Sequence, residues 1–510
     1  MYLIKNVITP ISKDIDLKKV LSEKLKLNSI ENIQILRRSL DARKKNNLKY
    51  NYTLLAEIRE KYFSHQDVME YKKPFPYISS HIKLQNTNPF IIGAGPAGLF
   101  AAISLVEKGF KPYIFEQGEK IEERIKKINK FRNQGILDEE SNVQFGEGGA
   151  GTFSDGKLTS RTRDFYTEKI FEYLVKFGAD KKIKYEALPH LGTNGLKKII
   201  INIRKYLEAN GCRLFWDHKL ENVQIENGKL KEVTINKQKY CPEILILAIG
   251  NSARDTFEML SKKTTLENKP FSVGFRIEHT QDFINSAFYG EKTNFKITGP
   301  ATYKLTAKYK NKGIYSFCMC PGGFVVAAAS EKKHQVLNGM SFQPRDNKFA
   351  NSGIVVTVNE SDFGSKLLAG VKFQREIEQK CFDQKNPYFA PSQKSDDFLI
   401  NKTSKKGIPN SYKPGTFSSE LNDLFPEIIT ESIKSALINF DQKINGFIEN
   451  GLLLAPETRT SSPIRIVRNR ATYETVGIQN IYPIGEGSGY SGGIISSAAD
   501  GYKLACFFEI

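Results

Sequence analysis

Residues 91–98 constrain this chain more than any others. Ile91, Ile92, Gly93, Ala94, Gly95, Pro96, Ala97 and Gly98 follow a short apolar run and precede an uncharged helical stretch, 99–106. That order spells a strand, a tight glycine turn and a helix start. Gly93 permits the sharp turn, Gly95 lets the backbone approach a pyrophosphate, and Gly98 lets the helix pack on the strand. The helix N-terminus offers unpaired N–H groups and partial positive charge to phosphates. Glu116, with Gln117 after it, ends the next apolar strand, 111–115, where a ribose hydroxyl needs an acceptor. The pattern implies binding of an adenine dinucleotide.

A chain of 510 residues is long enough for two or three domains. The first 85 residues read as a small α+β module: a strand over 2–8, a helix over 16–27, and paired strands over 33–41 and 48–58 joined by a basic turn, with Pro74 and Pro76 opening a linker. The dinucleotide unit follows, over 86–265. Within it, 118–132 reads as a helix with Ile121, Ile125, Ile128 and Phe131 on one face and Arg124 pointing elsewhere. The stretch 142–157 is too rich in glycine to be anything but a loop. Its formal G-x-G-x-x-G over 146–151 is rejected as a second fingerprint, because no amphipathic helix follows it. Further along, 196–209 reads as a helix and 241–250 as a buried strand. From 266 to 455 alternating strands and polar loops mark an inserted domain, and 456–510 return to the glycine-rich style.

The formal charge is +19, and residues 1–85 hold 17 Lys or Arg against 9 Asp or Glu. Such an excess attracts nucleic acid or an anionic membrane surface. It reads more simply as lysine scattered over a solvated surface, since no long arginine-rich block occurs. Six dispersed cysteines do not make a disulfide scaffold, so a reducing cytoplasm is expected. The uncharged run 89–106 belongs to the glycine turn and is not a membrane span. The six histidines show no metal-ligand spacing, and no metal is expected.

A second glycine-rich turn chooses between dinucleotides. Residues 481–494 end a strand at Gly485, place Glu486 next, and open a helix at Gly492, Gly493 and Ile494. A flavin needs a carboxylate near its ribityl chain and a helix N-terminus at its pyrimidine edge. A nicotinamide dehydrogenase needs no such second turn, so the cofactor expected is FAD.

The stretches 93–98, 141–158, 271–281, 315–331, 338–352, 457–465 and 482–501 resemble FAD-dependent oxidoreductases of the glutathione-reductase type, and more narrowly a family bearing a small N-terminal domain. The resemblance implies an α/β fold: a Rossmann-like FAD/NAD(P)-binding domain, an inserted β-rich substrate domain and a small α+β N-terminal domain. It implies that Arg124 lies along the phosphates. It places Gly149, Ala150, Gly151, Ser154 and Gly156 under the flavin, Leu220 and Gly250 on the adenine side, and Gly485, Glu486, Gly493 and Ile494 at the flavin end. Where the family pattern has Asp after Gly192 and Thr193, this chain has Asn194.

For catalysis, Cys318 and Cys320 flank Met319 in a strand-like run, so both should face one way and could exchange electrons with a flavin. The plain alternative is two small buried strand residues, and a bridge within C-x-C is strained. His190 and His279 are candidate general acids, with hydrogen-bonded structural imidazoles as the alternative. Arg276 and Arg459 are candidate forks for an anionic small-molecule substrate, or else ion-paired arginines. The expected function is an FAD-dependent oxidoreductase, visited only transiently by NAD(P)H if at all. Two competing readings are a flavin-dependent RNA-modifying or RNA-binding protein using the basic N-terminal module, and a protein that keeps FAD as a structural element.

Overall fold

Five parallel strands form the sheet that carries the first glycine turn, in the order Ile481–Pro483, Leu245–Leu247, Phe90–Ile92, Tyr113–Phe115 and Arg213–Phe215. The structure, a computed structural model, describes residues 1–12, 14–27, 29–59, 65–76, 78–160, 164–290 and 295–510. The strand expected over 241–250 contracts to Leu245–Leu247. Pro242 has no N–H for a ladder, and Gly250 turns away at φ +74°.

The sheet's edge strand Ile481–Pro483 comes from late in the chain. The helix after it, Ile494–Ala505, packs along Pro96–Glu107, the helix that opens at the first glycine turn. The fit leaves no room for a methyl group. A Cβ on Gly501 would lie 2.0 Å from the Ala97 carbonyl oxygen, and one on Gly485 2.7 Å from the Ala97 Cβ. One on Gly98 would lie 2.0 Å from the Gly93 carbonyl oxygen, which is why the third glycine of the turn is needed.

The second large sheet has seven strands, with Phe271–Thr280 between Phe349–Val358 and Leu452–Glu457 at its centre, and Lys312–Cys320 beyond Phe349–Val358. Helix Glu427–Lys443 buries Ile429, Ile433, Leu437 and Phe440 in the core beside it, a spacing that fits one helix face. An antiparallel ribbon of Leu266–Asn268 with Ile464–Ile466 stands where the chain enters and leaves this region.

Near the N-terminus, strands Ile30–Asp41, Lys49–Ile58, Tyr2–Pro10 and Val68–Glu70 lie in that order in an antiparallel sheet. Helix Leu17–Leu25 is capped by the Asp16 carboxylate and buries Leu21 and Leu25 against it. This unit is docked rather than free. Arg38 pairs with Glu186, and the Asn46 N–H in the basic turn donates to the Tyr289 carbonyl at 3.0 Å. Strand Ile82–Lys83, in the segment read as a linker, pairs with Phe508–Glu509. Among the described residues no helix is long and apolar enough to cross a membrane, and no group of three His, Cys, Asp or Glu side chains is placed to hold a metal ion.

Replacing Gly501 by Ala forces the two long helices apart at Ala97. Overpacking of this kind costs about 1–3 kcal/mol, so Gly501→Ala should unfold at lower temperature and lower urea concentration than the parent. Unchanged unfolding curves would mean that the helices have slack that the structure lacks.

Candidate functional site

A cavity of about 630 Å³ lies where the two glycine turns meet, within the ~300–1,000 Å³ usual for cofactor and ligand sites. Gly93, Gly95, Pro96 and Ala97 line it from one helix N-terminus, and Gly485, Glu486, Gly492, Gly493 and Ile494 from the other. Neither Gly95 nor Gly493 provides a side-chain cap, so each helix presents first-turn N–H groups that no cap takes up. Gly149, Ala150, Gly151, Ser154 and Gly156 form another wall, and Glu116, Gln117, Leu220 and Gly250 line it as well. A Cβ built on Gly250, Gly492 or Gly493 meets no protein atom within 4 Å. Their bare backbone therefore faces the open space of the cavity.

Three residues expected at the cofactor do not line the cavity. Ala94 is buried, with its N–H on the Glu116 carboxylate at 2.8 Å. Gly98 lies under the turn. Arg124 is the clear correction. It is fully buried, and its guanidinium donates to the carbonyls of Asn142 (2.7 Å), Val143 (2.9 Å), Glu147 (2.7 Å) and Gly149 (3.0 Å). It pins the glycine-rich loop from behind and does not line the cavity. A Cβ on Gly146 would meet the Arg124 Cδ at 2.5 Å, so that glycine makes room for the guanidinium.

Glu116 lines the cavity, and it also organises the turn. Its carboxylate accepts the N–H groups of Ala94 (2.8 Å), Gly118 (3.0 Å) and Gly146 (2.8 Å). An ionised carboxylate offers about four acceptor directions, which leaves one for a ribose hydroxyl. Glu486 accepts from the Asn251 amide at 2.9 Å. Burial raises its pKa, opposed by the Gly493 N–H and Asn251.

The catalytic candidates separate. Cys318 lines the cavity and Cys320 is buried behind it. They do not sit in a regular strand: the pairing with Phe349–Val358 shifts register between Phe317 and Cys320, and Cys318 has φ +45°. His190 and His279 do not line the cavity. The His190 Nε2–H donates to the Gln343 carbonyl at 3.0 Å, and burial followed by Arg345 lowers its pKa. The His279 Nε2–H donates to the Phe447 carbonyl at 2.8 Å, and burial brings its pKa down to about 4. Each ring is thus held on a backbone carbonyl away from the cavity. Asn194 accepts from the Gln343 N–H at 3.0 Å.

Arg276 is buried and pairs with Glu457 at 2.5 Å, so it does not reach the cavity. Arg459 does line it, while its guanidinium is held by Glu378 at 3.1 Å. Glu378 also pairs with the buried Arg254 at 2.8 Å. Among the lining residues that sequence reasoning missed, Lys157 carries a charge into the cavity. It lines the cavity at the end of the glycine-rich loop, next to Asp155 at 3.1 Å. Its only signal in the sequence was its place in that loop.

Residues 270–460 match the model of a family described as FAD-dependent protein, C-terminal domain-like, and residues 3–57 match a domain of unknown function (DUF8436). An uncharacterized protein of Clostridium beijerinckii is 41% identical over 523 aligned residues, covering 98% of this chain and 97% of its own length. The chain belongs to that protein's family. Its cofactor is FAD, as the matched C-terminal domain states and as the uncapped helix ends and bare glycine wall of the cavity fit. Among solved structures, L-proline dehydrogenase from P. horikoshii aligns at TM-score 0.37 and 12% identity, over 82% of this chain and 92% of that one. A geranylgeranyl bacteriochlorophyll reductase-like protein of Thermoplasma acidophilum aligns at TM-score 0.36 and 12% identity, over 82% and 77%. CtdE in complex with FAD aligns at TM-score 0.32 and 11% identity, over 83% and 84%. Likenesses this distant carry no functional argument.

Two measurements follow from this geometry. Gly492→Ala places a methyl group where no protein atom stands, so the flavin-free protein should keep its melting temperature while FAD retention falls. Retained FAD would move the cofactor away from this helix end. For His279, burial holds the folded-state pKa below the unfolded value near 6.5. The folded protein then binds fewer protons between about pH 4 and 6.5, and stability is lost as pH falls through that window, by about 3 kcal/mol at its foot. His279→Gln keeps a donor for the Phe447 carbonyl and cannot titrate. Its urea midpoint should fall less between pH 7 and pH 4 than that of the parent, and an equal fall would rule out His279 as the source.

Proposed function

We propose that the chain is an oxidoreductase that passes electron pairs between bound FAD and a small substrate. The observation that supports this reading is the meeting of two uncapped helix N-termini on one cavity. When bound, FAD supplies two-electron chemistry at its isoalloxazine ring. In this reading the N–H groups of Gly95 and Ala97 would hold the pyrophosphate, Glu116 and Gln117 the adenosine ribose, and Leu220 and Gly250 would flank the adenine. The loop from Gly149 to Gly156 lies under the ring. Gly493 and Ile494 direct a partial positive charge at its pyrimidine edge, where negative charge collects on reduction.

The organisation we infer is an N-terminal module over 1–85, an FAD-binding domain over 86–265 and 456–510, and a substrate domain over 266–455. The substrate domain contributes Tyr315, Phe317 and Asn338 to the cavity. Lys157 on the loop and Arg459 beyond the substrate domain line the same space, paired with Asp155 and Glu378, and would be the groups to meet a substrate anion. A nicotinamide reductant, if used, would visit this space between substrates. The RNA-directed reading gains no support: the N-terminal match carries no assigned activity, and the basic turn is tied down at Tyr289.

The purified protein should be yellow and release FAD, about one per chain, on heat denaturation, identified by chromatography against FAD and FMN. Anaerobic photoreduction should bleach it, and a panel of acceptors should include some that restore colour faster than oxygen does. A colourless protein that takes up no added FAD would defeat the proposal. A flavin reoxidised by oxygen alone would leave FAD as a structural element.

A further inference from the structure

The C-x-C pair is built differently from two neighbours on a strand. In a regular strand, positions two apart span about 6.6–6.8 Å, at the upper end of the ~4.4–6.8 Å over which cysteines bridge. Here the chain kinks instead. Cys318 takes φ +45°, a backbone state uncommon outside glycine, and the pairing with Phe349–Val358 slips at this point. The kink gathers both sulfurs onto one ammonium: Lys157 Nζ lies 3.8 Å from Cys318 Sγ and 3.6 Å from Cys320 Sγ. The Cys320 thiol donates to the Cys318 carbonyl oxygen at 3.2 Å.

The surroundings are charged on several sides. Arg276 donates to the Cys318 carbonyl at 2.8 Å and reaches Cys320 Sγ at 3.7 Å, with Glu457 as its counter-ion. Asp155 holds Lys157 from the other side and is itself held by Arg345 at 2.5 Å and by Ser341. The neighbouring Cys320 thiol, opposed by burial and aided by Lys157 and Arg276, moves the Cys318 thiol below the ordinary range. Burial, with the neighbouring Cys318, moves Cys320 up. With both sulfurs within 3.8 Å of one ammonium, Cys318 is the one favoured as the attacking thiolate and Cys320 as its thiol partner. Cys318 and Lys157 both line the cavity.

We propose that Cys318 and Cys320 form a reversible dithiol–disulfide couple that exchanges an electron pair with the flavin of the same cavity. The second half rests on the FAD reading above. In the oxidising direction the Cys318 thiolate and the Cys320 thiol join by one S–S bond, losing two electrons and the Cys320 proton. The two electrons and one proton would pass to oxidised flavin, the acceptor this proposal requires. Lys157 stabilises the thiolate at the start and is the charge left facing the cavity when the sulfurs are neutral. A disulfide substrate would reoxidise the dithiol, and a thiol substrate would reduce the disulfide, by exchange at Cys318, the sulfur on the cavity side.

The test uses the full-length holoprotein. Anaerobic treatment with diamide, then alkylation and peptide mapping, should show the 313–332 peptide lighter by two hydrogens and unalkylated. Cys318→Ser and Cys320→Ser should each keep one alkylable thiol. The diamide-treated parent should then consume about twice the electrons per flavin of either variant in a dithionite titration. Iodoacetamide near pH 6 should label Cys318 in the reduced parent roughly tenfold faster than in Lys157→Met, as expected for a thiolate that has lost its cation. Two separately alkylable cysteines after diamide would overturn the couple and leave the FAD reading intact. A disulfide that forms in protein unable to bind FAD would keep the couple and remove its flavin partner.

Discussion

The contact of two helices at Ala97 governs this molecule. With hydrogens instead of methyl groups at Gly485 and Gly501, Ile494–Ala505 lies close against Pro96–Glu107. The two helices start on the same side of the parallel sheet, because their preceding strands, Phe90–Ile92 and Ile481–Pro483, both run parallel to Leu245–Leu247. Their positive ends therefore open on one space. Separated helices would leave two weak anion sites where the structure has one long cradle.

The cradle's floor depends on a different kind of interaction. A loop with so many glycines has little intrinsic reason to hold one shape, since glycine gives up more conformational freedom on ordering than any other residue. Arg124 supplies the constraint by gathering four loop carbonyls, and Glu116 gathers three N–H groups, from Ala94 in the first glycine turn, from Gly118 just after its own strand and from Gly146 in the loop. Charge-assisted bonds of this sort are stronger than neutral ones, and both groups are buried. On the opposite side, Arg254, Glu378 and Arg459 form a buried ionic cluster that joins helix Arg254–Ser261 to helix Ala369–Lys380 and reaches the cavity wall. Removing one member of such a cluster costs about 3–5 kcal/mol, because the others stay buried without their counter-charge.

Both glycine turns were legible in the sequence, because strand, glycine and helix come in an order that few other structures use. The reading of Arg124 was not. Helical periodicity assigns a charged residue to the outer face, and the carbonyls that overrule it lie 18–25 residues away in a loop with no period of its own. Glu116 shows the reverse case: its place at the strand end was plain, but its three backbone partners come from segments that only the fold brings together. Cys318 was read from strand alternation, which a bulge interrupts without leaving a mark on residue types. For His279 and Arg276 the residue types left catalytic and structural roles both open; each sits in a strand buried on both faces, where such groups must find partners.

The order of these parts along the chain sets when the cradle can exist. The helix opening at Gly493 is made 400 residues after the one at Gly93. At about 5–20 residues per second a ribosome needs roughly 20–80 s to cover that distance. During that interval the nascent dinucleotide unit has an open sheet edge and only half of its coenzyme cradle. Flavin capture is therefore a late event in the life of each molecule, and any product interrupted before Ile481–Pro483 would lack the strand that closes the sheet.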